Sequence, residues 1–265
     1  MSGSLIDERG LINLAYTIRS KNGLSAAYKP IQMATAINEL PTEYSGVTDP
    51  IIANILDGSI VSIDDEANHL IKTVGLYTFY ECMNLVSVNL PVCTSIGYDA
   101  FYGCTNLENV SVPQCTSIGN NAFENCTKLT SFSGKVGTIG QYAFRGSGLQ
   151  EYFSSSGGTI NTGAFANCGD LVTVSFGGAC SFYNCFTGCY NLESLILSYP
   201  TKPVTWYNSP STIRTQLQDT KLLTTGYIYV PADLVEAYGN VEGWELVTDR
   251  IVPIPEPEPE PEEGV

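Results

Sequence analysis

A phenylalanine recurs at Phe79, Phe101, Phe123, Phe144, Phe165 and Phe186, and this spacing of 21–22 residues constrains the fold more than any other feature of the chain. Three residues after five of these stands a cysteine (Cys82, Cys104, Cys126, Cys168, Cys189), with Ser147 in the remaining slot. A leucine follows at Leu85, Leu107, Leu129, Leu149, Leu171 and Leu192. Three ladders in register at one period describe a solenoid, in which a unit buries its apolar side only by stacking on its neighbours. The clearest unit, Thr94 to Cys115, reads TSIGYDAFYGCTNLENVSVPQC.

Within a unit the end of L-x-x-V-x-L alternates, as in Leu85, Val88 and Leu90, and runs into Pro91 or Pro113. Alternation followed by proline predicts a short strand, and identical units stack such strands in parallel about 4.8 Å apart. A second apolar corner falls on the residue before glycine, Val74, Ile96, Ile118 and Ile139, and on Ile160, which precedes Asn161. The A-F-x-x-C segment is expected to make a short helical turn whose phenylalanine fills the coil. The fourth unit, around Gly146-Ser147-Gly148, lacks the cysteine and one residue of spacing, which predicts a local irregularity. In the sixth, Ser181-Phe182 replaces the I-G pair. The pattern resembles the BspA-like leucine-rich repeat, C-x-x-L-x-x-I-x-L-P-x-x-x-x-x-I-G-x-x-A-F. The resemblance implies a mostly β repeat solenoid of parallel strands and short helical turns over residues 73–197.

Nine cysteines are an odd number, and the amino terminus does not read as a secretory signal because Asp7, Glu8 and Arg9 interrupt it. Five cysteines share one repeat slot; Cys93, Cys115 and Cys180 share another; Cys185 takes the small-residue slot of Ala100, Ala122, Ala143 and Ala164. A slot that also admits serine is a tight interior position, so buried thiols are the first reading, with disulfides or a metal as alternatives. The eleven-residue step from Cys82 to Cys93 to Cys104 is half a coil, unlike the short spacing that zinc prefers. No metal and no cofactor are expected.

The flanks leave the period. Residues 1–41 carry two helical stripes, Leu11, Leu14, Ala15 and Ile18, then Ile31, Ala34 and Ile37, separated by Asn22-Gly23: a small α-helical hairpin. Ile18-Arg19, Lys21, Gly23, Pro30, Met33-Ala34 and Ala36-Ile37 give this segment a resemblance to an amino-terminal module of phage and prophage tail or minor structural proteins of gut-type Gram-positive bacteria. The resemblance implies an attachment module. Residues 42–72 form a linker with a capping strand within Ser59–Ile63. Residues 198–252, with I-Y-V-P-A-D-L-V-E-A-Y and W-E-L-V-T-D-R-I, resemble the cap that follows such repeats. Residues 253–265 are an acidic Pro-Glu tail.

A formal charge of −15 with 12 basic residues argues against nucleic acid and anionic membrane surfaces as partners. No run of about 18 apolar residues predicts a membrane span. His69 is the single histidine, and no phosphate loop, nucleophile elbow or H-E-x-x-H motif occurs, so no catalytic residues are assigned and no enzyme is expected.

What the repeats offer is a surface. Residues between the core leucine and valine point outward: Ser87 and Asn89, Asn109 and Ser111, Ser131 and Ser133, Thr173 and Ser175, then Ser194. This column of small hydrogen-bonding groups suits saccharide hydroxyls or a polar protein surface; polar residues merely facing solvent would look the same. Tyr77, Tyr80, Tyr98 and Tyr102 make a second candidate, an aromatic platform, against packing between adjacent turns. The resulting expectation is a virion-associated protein of tail-fibre or receptor-binding type, made in the host cytoplasm. Residues 1–41 would meet other virion structural proteins and the solenoid a bacterial surface glycan or protein, as a single chain or a homo-oligomer. The alternatives are a bacterial repeat protein, cytoplasmic or at the cell surface, that binds proteins, and a virion decoration without a receptor.

Overall fold

The computed structural model describes residues 60–64, 71–198, 203–206, 212–244 and 247–256. The expected helical hairpin at 1–41, His69 and the Pro-Glu run from Pro257 onward lie outside the described residues.

Strands are numbered along the chain. One side of the coil stacks β1 (Ser62–Asp64), β3 (Ser87–Asn89), β5 (Asn109–Val112), β7 (Ser131–Gly134), β9 (Glu151–Ser154), β11 (Thr173–Phe176), β13 (Ser194–Leu197), β15 (Tyr227–Val230) and β16 (Ile251–Pro253). A second side stacks two- and three-residue strands: β2 (Thr73–Val74), β4 (Ser95–Ile96), β6 (Ser117–Ile118), β8 (Thr138–Ile139), β10 (Gly158–Ile160), β12 (Cys180–Phe182) and β14 (Thr205–Trp206). Every strand pairing among the described residues is parallel and in repeat register, as Val88 with Val110 and Ile96 with Ile118. The second apolar corner is therefore a seven-stranded sheet of its own. Coils approach closely there: a Cβ on Gly119 would sit 2.6 Å from the backbone of Gly97 and Tyr98, so only glycine fits.

The first side divides into a four-stranded sheet and a five-stranded sheet, and the break falls between β7 and β9. That is where the fourth unit is one residue short. The two strands still abut through the core, since the Phe132 and Tyr152 rings lie 5.9 Å apart at 20°.

The third side differs from its expectation. The A-F-x-x-C segment is not a helical turn: each coil places two residues, two before and two after the phenylalanine, in the left-handed region. The pairs are Tyr77 and Glu81, Asp99 and Gly103, Asn121 and Asn125, Tyr142 and Gly146, Gly163 and Asn167, Asn184 and Gly188. Positive φ breaks helical propagation and turns alternate amides toward the next coil. Phe79 N–H donates to Ala100 O (2.7 Å), Phe101 to Ala122 (2.8 Å) and Phe123 to Ala143 (2.7 Å). This side is thus a third backbone ladder, which a helical turn would have consumed internally.

The core between the three sides is continuous. Six phenylalanine rings stack from coil to coil, Phe79 on Phe101 at 5.0 Å through Phe165 on Phe186 at 5.8 Å, all within 15° of parallel. Each contact is worth about 0.5–1.5 kcal/mol beyond the area it buries. All nine cysteines are buried free thiols. They are more than small hydrophobes: Cys104, Cys126, Cys168 and Cys189 donate S–H to the carbonyls of Phe79, Phe101, Phe144 and Phe165 at 3.0–3.1 Å. Ser147, in the same slot, shares a hydrogen bond with the Cys168 thiol at 3.4 Å. Cys93 and Cys115 form a second column, each donating to the carbonyl two residues on, at 3.3 Å. The eleven-residue step thus divides the thiols between two sites of the coil.

After β14 come α1 (Thr212–Leu217), β15, α2 (Val235–Gly239) and β16. Leu217, Leu222, Tyr238, Trp244 and Val247 join the core and cover the last coil.

Candidate functional site

All nine strand residues singled out from the sequence lie on one face, because the intervening Val88, Val110, Phe132, Val174 and Leu195 are buried. Asn109, Ser131 and Ser133 are exposed, and Ser87, Asn89, Ser111, Thr173, Ser175 and Ser194 are half-buried. Register makes them two columns. One pairs Ser87 with Asn109 and Asn109 with Ser131; the other pairs Asn89 with Ser111 and Ser111 with Ser133.

The columns run further than the sequence pattern indicated. At the amino-terminal end Ser62 aligns with Ser87, and Asp64 with Asn89, whose side-chain amide donates to the Asp64 carboxylate at 3.1 Å. Beyond the break, Glu151 aligns with Thr173, and Phe153 with Ser175. Ser175 aligns with Ile196, Ile196 with Tyr229, and Tyr229 with Val252; Ser194 aligns with Tyr227. Phe153 is 51% exposed and Tyr227 is 40% exposed. The Tyr227 and Tyr229 rings stand edge to face at 6.3 Å. The face is therefore graded, from small polar groups at its amino-terminal half to an apolar and aromatic surface at its carboxy-terminal half. The alternation of E-Y-F-S was legible in the sequence; the one-residue deletion before it obscured that Phe153, not Tyr152, takes the outward position.

The structure also brings the four tyrosines together, on the turn side of the coil rather than on the strand face. Tyr77 lies 5.8 Å from Tyr80 and 5.4 Å from Tyr98, and Tyr80 stacks on Tyr102 at 5.0 Å and 5°. Burial, reinforced by Glu81, Tyr102 and Asp99, pushes the Tyr80 phenol up to about 12, so it stays protonated at neutral pH. Tyr98, 38% exposed, offers the most surface of the four. Further along this side Arg145 lies 5.2 Å from the Tyr142 ring centre and pairs with Glu124 at 3.4 Å.

Among the described residues no cluster of three or more His, Cys, Asp or Glu side chains is placed to hold a metal ion. No described helix is long and apolar enough to cross a membrane. Burial pushes up the thiols of Cys104, Cys126, Cys185 and Cys189, and holds Cys115 at about 12 and Cys168 and Cys180 at about 11, so these seven stay protonated at neutral pH.

Residues 72–193 match the family model of the BspA type leucine rich repeat region in six copies. None of the curated protein sequences matches the chain. Among solved structures, a leucine rich repeat protein of T. pallidum is 30% identical over 55% of this chain and 72% of that one, with a TM-score of 0.47. A leucine-rich repeat protein from Bacteroides ovatus ATCC 8483 is 22% identical over 64% of this chain and 47% of its own, with a TM-score of 0.44. A leucine rich cell surface protein from Faecalibacterium prausnitzii A2-165 is 14% identical over 74% and 88%, with a TM-score of 0.27.

Proposed function

Because residues 72–193 belong to the BspA-type leucine-rich repeat family, we propose that this chain is a non-enzymatic binding protein that holds a protein or a bacterial-surface partner on its outward strand face. The observation that carries the reading is the make-up of that face: outward columns run through the four-stranded and the five-stranded sheet, and the second of these exposes Phe153 and Tyr227 to solvent. Exposed aromatics beside small hydrogen-bonding groups are the composition of a contact surface with an anchoring centre and a polar margin. An acidic chain of net charge −15 favours partners that are neutral or basic at their contact.

The similarity of residues 11–37 to modules of phage and prophage tail proteins supports a place on a virion. Residues 1–41 then dock to other virion structural proteins while the solenoid meets the host.

The test is binding of the labelled full chain to whole Gram-positive cells and to proteins extracted from their envelope. Ser133→Arg and Phe153→Glu, both on the face, are expected to weaken binding by about tenfold or more, as interface centres do. Tyr190→Glu, an exposed substitution away from the two columns, leaves it unchanged. Equal binding by all three variants removes the face assignment. Absence of binding by the unaltered chain to every cell and extract removes the adhesion reading and leaves decoration.

A further inference from the structure

The strand side of the coil is interrupted at the fourth unit, and the other two sides are not. On the turn side the ladder passes through, as Phe144 N–H donates to Ala164 O at 2.7 Å and Gly146 N–H to Ala166 O at 2.9 Å. In the seven-stranded sheet Thr138 pairs with Thr159 and Ile139 with Ile160, and Asn161 N–H donates to Ile139 O at 3.0 Å. On the strand side β7 and β9 belong to different sheets, and among the described residues no backbone hydrogen bond joins them. The step from the phenylalanine to the leucine is five residues here, Phe144 to Leu149, and six in every other unit.

The bonds on either side of this seam fix which backbone groups face it. Ser131 N–H donates to Glu108 O, so β7 turns the backbone of Ser131 and Ser133 toward β5 and that of Phe132 toward β9. Val172 N–H donates to Gln150 O and Gly177 N–H to Ser154 O, so β9 turns its even-numbered residues toward β11 and Glu151 and Phe153 toward β7. An unpaired backbone group is tolerated where water reaches it, and Glu151 and Phe153 are exposed. The two strands meet instead through the stack of Phe132 on Tyr152. Apolar contact has no fixed direction, whereas a ladder holds spacing and register together.

We propose that the seam is a hinge: the solenoid bends there about its two continuous sides, and the bend changes the angle between the half of the strand face that ends in β7 and the half that begins with β9. In such a hinge a few residues absorb the change while the packed bodies on either side move as units. The two halves present different chemistry, small polar groups before the seam and Phe153, Ile196, Tyr227 and Tyr229 after it. The angle between them therefore sets which partners touch both at once. That consequence rests on the binding reading given above; the hinge does not, and its test uses no partner.

The distribution of distances between two spin labels on the full chain, measured by pulsed electron paramagnetic resonance, tests this. Asn109→Cys/Tyr227→Cys places one label on each half, five strand spacings or about 24 Å apart. Glu151→Cys/Glu236→Cys places both labels beyond the seam. The nine native thiols are buried, and the unaltered chain serves as the labelling blank. The pair across the seam is expected to give a broad or two-peaked distribution, and the pair within one half a narrow one. One threonine inserted between Ser147 and Gly148 restores the six-residue step, lets β9 join β7, and narrows the first distribution to the width of the second. Circular dichroism checks that each variant is folded, and should the insertion prevent folding, the comparison of the two pairs decides alone. The proposal is overturned if the pair across the seam is no broader than the other, or if the folded insertion variant stays as broad as the chain without it.

Discussion

The indole N–H of Trp244 donates to the carbonyl of Val204 across 40 residues of sequence, at 3.2 Å. Both groups are buried, and the amide of Val204 is satisfied by the Tyr238 hydroxyl. The two rings meet edge to face at 4.7 Å. Trp244→Phe keeps most of the apolar burial and leaves the carbonyl without its donor, so it costs about 1–3 kcal/mol, and Trp244→Ala about 3–5 kcal/mol. Urea unfolding followed by circular dichroism measures both. A loss for Trp244→Phe within the error of the method would show that the bond does not hold the cap.

The thiol columns predict chemical silence. All nine cysteines are buried, and burial keeps the thiolate fraction small, with Cys180 pushed up to about 11 and Cys115 to about 12. A thiol-exchange reagent at mildly alkaline pH therefore titrates close to no sulfur in the native protein, and all nine after denaturation. Substituting Cys126 with Ser keeps the donor to Phe101 O and is tolerated better than Val, which removes the donor and adds bulk; Ser147 already occupies the equivalent slot. Prompt reaction of several thiols in the folded chain would contradict the packing described.

The left-handed positions separate two kinds of glycine. Gly103 has φ +69, and a Cβ there meets only the flexible Glu81 side chain at 3.1 Å, so Gly103→Ala costs about 1–2 kcal/mol for its conformation alone. Gly119 has its neighbouring coil's backbone at 2.6 Å, which cannot retreat without separating the strands, so Gly119→Ala costs more. Glu81, at φ 52, is a long side chain where glycine or asparagine stands in all five other coils (Gly103, Asn125, Gly146, Asn167 and Gly188), and Glu81→Gly stabilises by about 0.5–1 kcal/mol. The ranking is read from unfolding midpoints, and equal losses at Gly103 and Gly119 would remove the distinction.

Those turns also mark how far the sequence could be read. Ladders of Phe, Leu and Cys were legible because each fills one interior position per coil and stacking repeats that environment. The turn conformation was not, because Tyr77, Glu81 and Tyr142 sit at positive φ without being glycine or asparagine, and A-F-x-x-C otherwise has a helical look. The strand face was legible wherever the period held, from Ser87 to Ser133 and from Thr173 to Ser194. Phe153, Tyr227 and Tyr229 escaped it because a deletion shifts the count before the first, and the other two lie past the last repeat. The cap bonds were out of reach for a different reason: Gln216 replaces a missing coil for Asn184, and a pairing 32 residues apart with no period leaves no pattern in the chain.

Glu124 supplies a pH dependence whose sign can be worked out. Burial raises its pKa above the ordinary 4.5, Arg145 opposes the rise, and Asp99 adds to it. A carboxyl that holds its proton more tightly when folded favours the native state while protonated. Its contribution is therefore present below about pH 4.5 and is lost as pH rises through the folded pKa, the reverse of an acid held by a strong ion pair. Glu124→Gln, which cannot ionise, removes that part of the slope, so the difference in unfolding free energy between variant and unaltered chain grows in the variant's favour above pH 4.5 and then levels. Arg145→Gln takes away the opposing charge and steepens the loss. Unfolding by urea at a series of pH values from acid to neutral checks both; a Glu124→Gln difference that stays flat across that range would mean the carboxyl titrates alike in the folded and unfolded chain.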